Sequence, residues 1–95
     1  MTKTYMVDGQ DRYVIDYRPQ SDGTIKMFAL DHPYNPQSDP VNVHHLYSSG
    51  EICVAAGHEP RTLDRATAIA ATWMQGFSRY VRTGTFPSGT KRFNV

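Results

Sequence analysis

Apolar and polar side chains alternate in three short stretches near the start of the chain, each closed by a turn signal. Tyr5 to Val7 is a brief apolar run, and the Asp8-Gly9 pair behind it is a strong hairpin-turn signal. From Arg12 to Tyr17 the residues Tyr13, Ile15 and Tyr17 share one face, at the period of a half-buried strand. Pro19-Gln20-Ser21-Asp22-Gly23 then joins the fixed φ of proline to the permissive φ of glycine, which makes a loop. Thr24 to Leu30 resumes the alternation, with Ile25, Met27 and Ala29 on one face and Phe28 and Leu30 on the other. Short turns link the three stretches without a crossover helix, so they predict an antiparallel β-meander over about residues 3–31.

The periodicity then stops. His32-Pro33-Tyr34-Asn35-Pro36 and Asp39-Pro40 place three prolines within eight residues, which predicts a stiff, extended surface loop. Val41 and Val43 mark a short fourth strand, and a turn is expected at Ser49-Gly50 before Ile52-Cys53-Val54. Beyond this loop and cysteine segment (about 32–60) the period changes to that of a helix. Leu63, Ala66, Ile69, Ala70, Trp73, Phe77, Tyr80 and Val81 recur at three- and four-residue spacing over about residues 62–83. Thr62 fits the N-cap, Asp64 the first turn, Arg79 and Arg82 the last turns, and Gly84 the stop. A polar tail follows over 84–95. The fold class expected is a single α+β domain in which the helix stripe is buried on the sheet.

Composition narrows the class. The 95 residues are 39% hydrophobic and 12% aromatic, enough to build one core and too few for two. A single cysteine excludes an internal disulfide framework. No apolar run is long enough to span a bilayer, and the N-terminal residues lack the basic-then-apolar order of a signal peptide, so a soluble cytoplasmic protein with no membrane partner is expected. The net charge of +1 hides a polarity: residues 1–59 carry four basic and eight acidic side chains, whereas 60–95 carry six basic ones against Asp64. That split either orients a polar partner or is compensated within the fold. The basic residues (among them Arg65, Arg79 and Arg82) form no dense tract, so nucleic acid is not expected as a partner.

Candidate chemistry gathers around Cys53. Two readings stay open for it, a small buried hydrophobe between Ile52 and Val54 or a thiolate nucleophile. His44, His45 and His58 lie within nine residues of it and offer proton acceptors or oxyanion donors. The same four residues are poorly spaced for zinc, because adjacent histidines in an extended segment point to opposite faces, and no metal is expected. Tyr47 and Trp73 read as core residues, and His44 as structural.

The run Met27 to Val54 resembles the central part of the ubiquitin-conjugating enzyme fold. Phe28-Ala29-Leu30 leading into His32-Pro33-Tyr34-Asn35-Pro36 is similar to that family's strand and Pro-aromatic-x-Pro loop. Leu46-Tyr47-Ser48-Ser49-Gly50-Glu51-Ile52-Cys53-Val54 is similar to its apolar-Tyr-x-x-Gly-x-Ile-Cys-Leu segment. The helix end from Trp73 to Gly84 looks like that of compact prokaryotic members. The resemblance implies a trimmed version of that fold and a transferase carrying a ubiquitin-like protein as a thioester on Cys53, passed on to an amine. His45 stands where the family has the asparagine of its His-Pro-Asn motif and would serve the oxyanion. His58 would deprotonate the amine or lower the thiol pKa, or else is a solvated loop residue. The implied partners are a ubiquitin-like modifier, an activating enzyme and a protein substrate, with no cofactor. The family's N-terminal helix has no counterpart here. The alternative is a non-catalytic binding module of the same fold with an inert cysteine.

Overall fold

The Asp8-Gly9 pair turns the chain as its composition demands. Both residues have positive φ (54° and 70°), and the Gln10 N–H closes on the Val7 carbonyl at 3.1 Å. That is the backbone hand that suits the twist of two flanking strands. The computed structural model describes residues 1–87, and the polar tail beyond Pro87 lies outside them. Around this turn β1 (Thr2–Val7) pairs antiparallel with β2 (Asp11–Pro19), which pairs antiparallel with β3 (Ile25–Asp31), giving a sheet of order β1-β2-β3. The expected meander is present, with one register shift at Val14/Ile15.

The segment expected as a fourth strand is instead a single helical turn, α1 (Val41–His44). Two valines spaced by two cannot distinguish a strand from a turn of helix, and Pro40 ahead of them supplies a fixed φ at the N-cap. The sheet also leaves Val41 and Val43 no place. The outer edge of β3 is taken by Gly50 and Ile52, whose backbone bonds to Ala29 and Met27 are 2.7 and 2.9 Å long.

The long helix α2 (Leu63–Thr83) follows its sequence signals closely. Thr62 Oγ1 accepts the Arg65 N–H at 3.1 Å, Asp64 sits in the first turn, and Gly84 ends the helix at φ 80°. Its stripe from Ala66 to Val81 is buried against Tyr13, Ile15, Tyr17, Met27, Ala29 and Ile52. Leu63, at the first turn, stands at the rim and is 37% exposed. Trp73 lies at the centre, stacked on Phe77 at 4.8 Å and edge-on to Tyr13 at 5.7 Å. The buried hydroxyl of Tyr13 finds partners on the helix, donating to the Met74 carbonyl (3.0 Å) and sharing a 2.6 Å bond with Ser78.

The proline loop crosses one end of α2. Tyr80 donates its hydroxyl to Asp39 at 2.9 Å, the Gln37 amide reaches the Val81 carbonyl, and the His32 ring meets Phe77 edge-on at 5.6 Å. Among the described residues no helix is long and apolar enough to cross a membrane. The structure is therefore a small α+β fold, a three-stranded antiparallel sheet with one long helix on one face.

Candidate functional site

The segment from His45 to Cys53 doubles back on itself. Gly50 makes this possible: its φ is +92°, its N–H donates to the Tyr47 carbonyl at 2.9 Å, and a Cβ there would sit 3.2 Å from the Ala29 carbonyl. An alanine at this position would meet both a disfavoured φ and a crowded backbone oxygen. The two arms are tied by the Tyr47 N–H to Glu51 (2.9 Å) and the Cys53 N–H to the His45 carbonyl (2.8 Å), with Leu46 and Ile52 bridged between them. Ile52 is fully buried and anchors the segment in the core. Side chains alternate along an extended arm, so burying Ile52 turns its neighbour Cys53 outward.

Cys53 is half-buried, a placement between the two readings its sequence position left open. Its Sγ lies 3.3 Å from the Tyr47 hydroxyl and donates to it. Tyr47 is 43% exposed, which corrects the expectation of a core residue. It shares the outward parity of Glu51 and Cys53 across the Gly50 turn, a signal present in the residue numbers but masked by the apolar look of a tyrosine beside Leu46. The Tyr47 hydroxyl is held above its ordinary pKa, first by the hydrogen bond to Cys53 and the charge that thiol can carry, then by desolvation and by Glu51. Tyr47 therefore keeps its proton, and when Cys53 ionises the bond can reverse so that the phenol donates to the thiolate. Trp73, read as core in the same way, is fully buried.

The histidines are placed differently. His45 caps α1 in the left-handed region (φ 60°), and its carbonyl receives the Cys53 N–H. Its imidazole turns to Phe86, edge-on at 5.1 Å. Burial, helped by the nearby His44, holds the ring below the ordinary histidine pKa, so it is neutral at neutral pH. His44 is structural in its contacts: Nδ1 accepts the Leu46 N–H, its carbonyl receives the Trp73 indole N–H at 3.0 Å, and its ring lies against Tyr80. His58 is exposed in the loop after Cys53, where its N–H closes a turn on Ala55. Among the described residues the Cys53 sulfur bonds to Tyr47 and to neither imidazole. Among the described residues no three histidine, cysteine or carboxylate side chains converge as a metal would need.

A cleft of about 180 Å³ runs beside this segment, lined by Tyr47, Glu51, Ile52 and Val54 with Lys26 and Glu59. A larger cavity of about 400 Å³ lies elsewhere, between the Asp8-Gly9 turn and the Gln75–Arg79 face of α2. Comparison of the chain with protein-family models, with curated proteins and with solved structures finds no match.

Proposed function

We propose that the protein is an acyl-transfer protein of the ubiquitin-conjugating type, with Cys53 as the carrier thiol. The observation that carries this reading is the 3.3 Å pairing of an outward-turned Cys53 with the Tyr47 hydroxyl on a turn-closed segment. In loading, the Cys53 thiolate attacks the carbonyl carbon of a glycyl thioester. A new S–C bond forms, the bond to the donor sulfur breaks, and the donor leaves as a thiol after taking up the proton. In discharge an amine nitrogen attacks the same carbon, the C–S bond to Cys53 breaks, and Tyr47 receives the departing thiolate with a hydrogen bond. His45, neutral at the neck of the segment, would donate one N–H to the oxyanion once its ring swings from Phe86. His58 would take the amine proton from its exposed loop.

A second reading is a binding module with an inert cysteine. It draws support from the sulfur's partner, a phenol where a nucleophilic thiol more often has an imidazole. One measurement separates the two. A peptide thioester ending in two glycines, mixed with the folded chain, should label Cys53 faster than it labels the urea-unfolded chain, and a reducing thiol should remove the label. Labelling no faster in the folded chain would discard the transferase reading in favour of the module.

A further inference from the structure

Antiparallel pairing leaves every second residue of an edge strand with its N–H and C=O pointing away from the sheet. Just ahead of β1 the Met1 carbonyl accepts the Tyr17 N–H of β2 at 2.7 Å, and at its end the Val7 carbonyl accepts that of Gln10 at 3.1 Å. Odd-numbered residues therefore turn their backbone toward β2, and Thr2, Thr4 and Met6 turn theirs outward. The opposite edge of the sheet has the same geometry and is filled: Ile25, Met27 and Ala29 bond to Pro60, Ile52 and Gly50. Among the described residues no backbone group reaches the outward edge of β1. Of the features that usually block an edge, this strand carries only Lys3. It contains no proline, its register with β2 is unbroken, and Lys3 is its single charge.

We propose that a second copy of this chain pairs with β1, antiparallel and about a two-fold axis at Thr4, joining the two sheets into one of six strands. The strand is self-complementary in that register. Thr4 of one copy lies across from Thr4 of the other, Thr2 across from Met6, and Lys3 across from Tyr5. The outward residues form three pairs that exchange two hydrogen bonds each, a threonine pair is a favourable cross-strand neighbour, and no like charges meet. A slip of the axis to Lys3 sets lysine against lysine, and a slip to Tyr5 loses one of the three pairs. Met6, more than half exposed in the single chain, is covered beside Thr2. A strand pair of this length buries less than the roughly 1,600 Å² of a standard interface, so the association is weak and concentration-dependent.

Sedimentation velocity from about 10 μM to about 1 mM tests the proposal at concentrations where such an interface associates. The wild-type chain should move from monomer to dimer across that range. Thr4→Lys and Thr4→Glu, each placing like charges together at the axis, should stay monomeric with unchanged far-ultraviolet circular dichroism. An equimolar mixture of the two should dimerise again. A wild-type chain that remains monomeric throughout overturns the proposal. So does a Thr4→Lys chain that dimerises like wild type, which would assign the contact to another surface. Failure of the mixture to associate, when both variants are folded, overturns the register.

Discussion

What a thiol does near neutral pH depends on the groups that exchange hydrogen bonds with its sulfur, and for Cys53 that group is the Tyr47 hydroxyl. Because Tyr47 keeps its proton, it can stabilise the thiolate as a donor. Tyr47→Phe should therefore slow alkylation of Cys53 by iodoacetamide about 3–10-fold at pH 7, the worth of one charge-assisted bond at a half-exposed site. A pH–rate profile unchanged from wild type would mean that the bond does not persist in solution. On the proposed reaction, Cys53→Ser should replace a reducer-labile adduct by an oxyester that survives reducing thiol, read on a gel with and without dithiothreitol. His45→Ala should slow discharge to an amine more than loading, and equal loss in both would indicate a damaged segment. The Gly50 turn and the cysteine beyond it were legible in the chain, while the imidazoles that the sequence sets near Cys53 do not meet its sulfur. The partner of the sulfur was not legible, because parity across the turn is visible only once the turn residues and the buried Ile52 are known.

At the scale of elements, α2 was the most legible part because its signals agree: cap, first-turn acid, stripe and terminal glycine all point to one helix. Thr62→Ala should cost about 1 kcal/mol, the usual worth of an N-cap, measured by urea denaturation. Trp73→Ala should cost about 3–5 kcal/mol, since it empties the centre of the core and also frees the His44 carbonyl from the indole N–H. A loss below 1 kcal/mol would contradict the central position of that ring. The meander was equally plain from alternation and Asp8-Gly9. The Val41–Val43 stretch was not, because which backbone segment occupies the outer edge of β3 is a tertiary outcome. Gly50 and Ile52 reach that edge, and no local property of two valines reveals it.

At the scale of the whole molecule, the charge polarity of the sequence is partly compensated inside the fold. Arg82 in the last turns of α2 clasps the largely buried Asp11 with both terminal nitrogens, at 2.7 Å each. The Asp11 carboxyl is held below its ordinary value of 3.8, chiefly by that guanidinium. A carboxyl depressed on folding stabilises the native state above its unfolded pKa, and the contribution fades as pH falls through the folded value. Acid unfolding should therefore steepen below about pH 4, and Asp11→Asn should flatten that limb while lowering stability at pH 7. Tyr13 acts at the other end of the scale, where burial pushes its phenol up to about 12. Its folded form keeps the proton longer than the unfolded one, so stability is whole below pH 10 and declines between about 10 and 12. Tyr13→Phe should reduce that alkaline decline, as followed by thermal melts across the range.

The clasp between Asp11 and Arg82 also bears on synthesis. A ribosome making this chain has long since released the β1–β2 hairpin when the codon for Arg82 is read, and until then the inner face of that hairpin has no α2 against it. Tyr13 waits in the same way for Ser78. The nascent hairpin stays without its helix partner until α2 has been made, and the native core closes only when the final turns of the helix arrive.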